Sequence, residues 1–133
     1  MSTTTAGPTE ITATMLSQGR VRRKLNILTA DGTSLSVDDW SSAGYERTVV
    51  FLHGLCLTRK AWDVHTRELL RRSGTETRVV SYDHRGHGAS GSSARDSYHV
   101  GQLATDLDHV LAALRVRGPV ILVGHSMGAM TAL

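Results

Sequence analysis

The run Val120-Ile121-Leu122-Val123, followed at once by Gly124-x-Ser126-x-Gly128, constrains the fold of this chain more than any other stretch. Four apolar residues, three of them β-branched, predict a strand buried on both faces, the kind found inside a parallel sheet. Ala129 to Leu133 predicts the start of a helix. A serine at such a strand-to-helix junction occupies a sharp, strained turn, a nucleophile elbow. Glycines two positions to either side are required where neighbouring backbone leaves no room for a Cβ. The turn holds the Ser126 hydroxyl above the sheet edge, and the positive end of the following helix favours negative charge beside it. Ser126 is therefore the candidate nucleophile, with Gly124, His125 and Gly128 supporting the turn.

The rest of the chain predicts a sheet around that strand. Val21 to Thr29 reads as an exposed strand, Asp31-Gly32 as a hairpin turn, and Thr33 to Trp40 as its antiparallel partner. Thr48 to Leu52 predicts the first fully buried strand, and Thr58 caps a helix from about Arg59 to Arg72 that Ser73-Gly74 stops. Arg78 to Tyr82 is the next strand. Ser97 then caps a helix whose apolar stripe runs from Val100 to Leu114, with Arg115 and Arg117 in its last turn and Gly118-Pro119 at its end. Strands alternating with helices after an opening hairpin predict an α/β domain with a mainly parallel sheet and an antiparallel N-terminal hairpin.

Composition narrows the functional classes. A chain of 133 residues with 40% hydrophobic and 20% charged residues suits one globular domain. Residues 1–19, rich in Thr and Ser, read as a flexible tail without a secretory signal, and 20–133 as the domain. No run is long enough to span a membrane, so the expected address is the cytoplasm. Net charge is only +3, and the cluster Arg20, Arg22, Arg23 and Lys24 reads as a charged edge strand rather than a nucleic-acid surface. Cys56 stands alone, which excludes an intramolecular disulfide, and nothing has metal-ligand spacing. No metal or cofactor is expected. Gly86-x-Gly88-x-x-Gly91 matches a dinucleotide fingerprint formally, but three residues separate it from its strand and no helix opens inside it.

In an open α/β sheet, ligands bind beyond the carboxyl ends of the strands. An elbow serine that attacks a carbonyl needs an oxyanion hole, two donors aimed at the developing negative charge. The backbone N–H of Met127 is the natural first donor. Leu55, after the tight turn at Gly54, is the second, and His53 braces that loop. His125 is adjacent to Ser126, but neighbouring side chains diverge at a sharp turn, so it is read as packing. None of the seven histidines is placed as a general base.

The run His53-Gly54-Leu55-Cys56 with Trp62, then Asp83-His84-Arg85-Gly86-His87-Gly88-Ala89-Ser90, then Gly124-His125-Ser126-Met127-Gly128, resembles the α/β-hydrolase fold superfamily over roughly Val21 to Leu133. The resemblance is nearest to its serine esterase, lipase and non-haem haloperoxidase-like branch. It implies hydrolysis of a small-molecule ester or other acyl substrate through an acyl-enzyme on Ser126. A serine nucleophile sets the chain apart from the related dehalogenases and epoxide hydrolases, which use a carboxylate. The resemblance also implies the order serine, acid, histidine, with both partners on later strands. Asp83 and Asp106 precede the serine and do not belong to such a triad. The expectation is therefore the N-terminal part of a hydrolase, cut after the elbow, lacking its acid, base and cap, and prone to self-association through an open sheet edge. The alternative is a catalytically inactive fragment that complements a partner chain by adding strands.

Overall fold

The computed structural model describes residues 8–133. Its six strands are β1 (Thr9–Met15), β2 (Val21–Leu28), β3 (Ser34–Ser41), β4 (Arg47–Leu52), β5 (Thr77–Tyr82) and β6 (Val120–Gly124). They form one sheet in the order β1-β2-β3-β5-β4-β6. The first three strands and β5 pair antiparallel, while β4 pairs parallel with both β5 and β6. The expected α/β fold and antiparallel N-terminal hairpin are present, in a mixed sheet whose parallel part is β5-β4-β6. Helices α1 (Asp63–Ser73), α2 (Val100–Ala113) and α3 (Met127–Ala132) complete the fold.

Strand periodicity divides the core into two layers. Val50, Leu52, Val80 and Tyr82 face Leu107 and Val110 of α2 on one side of the sheet. Val49, Phe51 and Val79 face Leu70 of α1 on the other, where the Trp62 ring stacks on Phe51 at 4.8 Å between centroids. Alternate residues of a strand thus serve opposite layers, and β4 and β5 are buried on both faces as their apolar sequences require.

Several expectations need correction. The part of the supposed tail that is described forms β1, which pairs with β2 from Thr9 to Met15; residues 1–7 lie outside the described residues. All seven residues of β1 are exposed, so a backbone ladder holds it rather than a core. With β1 alongside, β2 is not an edge, and its basic cluster is not simply solvated. Arg20 is buried with its guanidinium on the Gly74 carbonyl, and Arg22 lies over the Trp40 ring at 5.2 Å.

The elbow strand β6 is not buried on both faces. Among the described residues it pairs only with β4, leaving Val120 38% and Ile121 48% exposed. The helix predicted from Arg59 begins as a 3-10 turn over Arg59–Trp62, whose Thr58 cap accepts the Lys60 N–H, before α1 proper. Helix α2 is capped by the ring of His99, which accepts the Gln102 N–H, and not by Ser97. Its last residue is Ala113, so Arg115 and Arg117 fall beyond the final turn.

Candidate active site

Three loops leave the carboxyl ends of β4, β5 and β6, and the structure brings them together. Ser126 has φ 53° and ψ −111°, a conformation that costs a side-chain-bearing residue energy and places it above the sheet. The tight turn is pinned from both sides. The His125 N–H donates to the Leu52 carbonyl at 3.0 Å, the Gly128 N–H to the His125 carbonyl at 2.9 Å, and the Met130 N–H to the Ser126 carbonyl at 3.0 Å.

The flanking glycines are needed for the predicted reason. A Cβ on Gly128 would stand 2.6 Å from the Leu52 carbonyl carbon and 2.8 Å from the His53 oxygen. One on Gly124 would collide with the backbone at Gly128 and Ala129. Elbow and β4 are thus in direct backbone contact. The exposed His125 turns away from Ser126 to lie over Gly54, where a Cβ would meet its Nδ1 at 2.6 Å.

Below the surface, His53 and His84 tie the β4 and β5 loops together. The His84 backbone N–H donates to His53 Nε2 at 3.0 Å, and His84 Nε2–H donates to the His53 carbonyl at 3.1 Å. His53 Nδ1–H then donates to the Gly54 carbonyl at 2.8 Å. Every one of these bonds uses a neutral ring. Burial, the largest influence on both, lowers the His53 pKa and takes that of His84 down to about 4. The expected bracing of the Gly54–Leu55 turn therefore has a partner, His84, that spacing in the sequence does not reveal.

Ser126, Leu55 and Met127 line one cavity of about 310 Å³ with Tyr98, Leu103 and Met130. Its walls are largely apolar. Neither the Leu55 nor the Met127 backbone N–H donates to another backbone group among the described residues. Two histidines reach the same cavity, and each has a ring nitrogen engaged: His87 Nδ1–H donates to the Arg85 carbonyl at 3.0 Å, and His99 Nδ1 accepts from Gln102.

The carboxylates near the site are occupied elsewhere. Asp83 accepts the N–H groups of Arg59 at 2.7 Å and Ala89 at 2.9 Å and pairs with the Arg59 guanidinium. Asp106 takes two bonds from the fully buried Arg85, each at 2.7 Å. These pairs fix the β5 loop, and sequence reading missed them because arginine and aspartate ordinarily indicate surface. The Gly86–Gly91 loop folds back on β3, with the Gly91 N–H donating to the Ser34 carbonyl at 2.7 Å. A Cβ on Gly88 would touch the Asp83 carboxylate, so that glycine accommodates an internal contact rather than a phosphate. Among the described residues no group of His, Cys, Asp or Glu is arranged to hold a metal ion, and no helix is long and apolar enough to cross a membrane.

A mixed sheet whose parallel strands carry a serine turn at their carboxyl ends is the architecture of an α/β hydrolase. The chain belongs to the alpha/beta hydrolase family, whose profile matches residues 49–133. It is 33% identical over 105 residues to an sn-1-specific diacylglycerol lipase ABHD11 of Danio rerio, covering 79% of this chain and 32% of the relative. It is 37% identical over 100 residues to the non-heme chloroperoxidase CPO-A1 of Kitasatospora aureofaciens, covering 75% and 34%. Among solved structures, the esterase EaEST of Exiguobacterium antarcticum superposes with a TM-score of 0.69 at 31% identity, covering 80% of this chain and 37% of that one. The chain spans about a third of the length of these relatives.

Proposed function

We propose that this chain carries the nucleophile and oxyanion hole of a serine hydrolase acting on a small-molecule carboxylic ester. Ser126 Oγ attacks the substrate carbonyl carbon, the alcohol departs, and water later releases the acid from the acyl-enzyme. The Leu55 and Met127 N–H groups stabilise the oxyanion, with His53, Gly54, Gly124, His125 and Gly128 holding the two loops that present them. The single observation that carries this reading is the left-handed Ser126, forced above the sheet beside an apolar cavity. Esterase and lipase relatives support the same chemistry.

A serine hydroxyl needs a base and a carboxylate that orients it. The family order puts both C-terminal to the serine, and Asp83 and Asp106 are already committed to arginines. A second reading, a non-catalytic fragment that completes a partner by strand addition, is favoured by the open side of β6.

Hydrolysis of a short-chain p-nitrophenyl ester, measured beside a Ser126→Ala control, separates the two. Turnover that disappears in the control supports the hydrolase, with the base supplied by this chain or by assembly. Measurable turnover that the substitution leaves unchanged would sink it, and no turnover in either protein favours the second reading.

A further inference from the structure

A basic concavity lies at the opposite end of the sheet from Ser126. A cleft of about 420 Å³ opens between the start of β2, the turn after β3 and the end of α2. Its charged lining residues are Arg23, Arg78, Arg115 and Arg117, and no carboxylate lines it.

Each guanidinium can be accounted for separately. Arg78 is buried and fully used: it meets both Asp39 oxygens at 2.9 Å, the Tyr45 hydroxyl at 3.2 Å and the Leu114 carbonyl at 3.1 Å. Arg23 reaches Glu10 on β1 at 3.4 Å. Arg117 makes one long bond to the Ala43 carbonyl at 3.4 Å and lies 5.0 Å from the Tyr45 ring centre. The Arg115 side chain makes no hydrogen bond or ion pair among the described residues. Two exposed guanidiniums therefore present most of their donors to the cleft unfilled. Arg78 and Arg117 also share the Tyr45 ring, at 5.3 Å and 5.0 Å, with the Arg78 charge met by Asp39 and that of Arg117 unpaired among the described residues.

The ordinary explanation for arginines at a helix end is that they cap its carbonyls, and here that work is done by backbone. The Val116 N–H donates to the Leu111 carbonyl and the Arg115 N–H to that of Ala112, both at 3.1 Å, the paired bonds of a Schellman motif. In that motif the residue after the cap is left-handed and is usually glycine. Arg115 occupies it at φ 51°. A strained, exposed arginine stands where glycine costs nothing, and it is not needed to cap the helix.

We infer that the cleft bounded by Arg115, Arg117 and the Tyr45–Arg78 floor binds a compact phosphate-bearing anion, at a site separate from Ser126. Guanidinium forks match phosphate oxygens in pairs, and the cleft is wide enough to admit a phosphate or pyrophosphate group. The inference does not depend on the hydrolase reading.

Equilibrium dialysis of labelled pyrophosphate against the 133-residue chain, at fixed ionic strength, tests it without requiring turnover. Saturable binding is expected with one site per chain, competed by unlabelled pyrophosphate and, more weakly, by inorganic phosphate. Arg115→Gly suits the left-handed backbone, so it preserves the fold while removing the guanidinium. It should weaken binding by about tenfold or more, and Arg115→Lys by less. Arg71→Ala, on α1 and outside the cleft lining, should leave binding unchanged. Pyrophosphate that fails to saturate, or that binds Arg115→Gly as tightly as the parent, overturns the proposal. Tighter binding of duplex DNA than of pyrophosphate overturns it too, by replacing a discrete site with a surface.

Discussion

His84 and His53 exchange hydrogen bonds in both directions, backbone to ring at 3.0 Å and ring to backbone at 3.1 Å, so neither loop can shift without the other. Burial keeps His84 neutral: its pKa falls to about 4 from an ordinary value near 6.5, with burial as the main cause. A folded-state pKa below the unfolded one means that stability is fully present above about pH 6.5 and is lost as pH falls toward 4. The loss should be on the order of 2 kcal/mol. Urea unfolding of the parent and of His84→Gln, whose amide can replace the Nε2 donor, measures it. The variant should show a shallower decline over that window, and identical slopes would refute the assignment.

Gly128→Ala should cost about 3 kcal/mol or more, because the new methyl meets the backbone of Leu52 and His53, which cannot move aside. Gly44→Ala, where nothing lies within 4 Å, should stay within about 0.5 kcal/mol of the parent. Chemical denaturation of the pair tests whether the elbow is locked onto β4.

Ser126→Gly removes both the hydroxyl and the strain of a left-handed side chain. We expect it to unfold at higher denaturant, gaining about 1–2 kcal/mol, while any esterase activity is lost. No gain in stability would show that the turn is not strained.

Asp106→Ala strips the fully buried Arg85 of its two-point partner, leaving only Asp31 against the guanidinium. It should cost about 2–3 kcal/mol, less than a wholly orphaned buried charge because Asp31 still holds the guanidinium. Glu68→Ala, which breaks exposed pairs with Arg71 and Arg72, should change stability little. Similar melting shifts in the two variants would contradict this ranking.

The open side of β6 offers unpaired backbone beside exposed Val120 and Ile121, a surface that favours strand-to-strand pairing between copies. Sedimentation velocity should find the parent chain self-associated and Ile121→Lys shifted toward monomer. A parent that sediments as monomer at all concentrations would dismiss the idea.

Much of this was legible in the sequence. The alternation of apolar strands with helices, the hairpin at Asp31-Gly32 and the glycines around Ser126 follow from local chemistry, and local chemistry is what a sequence displays. What escaped was set by distant partners. Nothing in the sequence marks Arg59, Arg78 and Arg85 as buried, because their aspartates lie 21, 39 and 21 positions away and close around them only in the fold. The partial exposure of β6 likewise depends on which strands flank it, and an apolar sequence carries no mark of that. In Thr9–Met15 the alternation of Ile11, Ala13 and Met15 with Glu10, Thr12 and Thr14 is short and stays exposed, so the pairing with β2 is what holds it as a strand.

Adjacent acids on β3 impose a rule on how the sheet can assemble. Asp38 and Asp39 point to opposite faces and meet different arginines there, Asp38 taking Arg59 from the turn before α1 together with Arg22 of β2, and Asp39 taking Arg78 of β5. Sliding β3 by one residue against β5 would turn Asp38 toward Arg78's layer and Asp39 toward Arg59's, each displaced along the strand from its cation. Apolar residues tolerate such slips more readily than buried carboxylates do. The two ion pairs therefore act as a two-pin key that admits one alignment of the sheet, and so one height at which the loops above β4 and β5 can meet the serine.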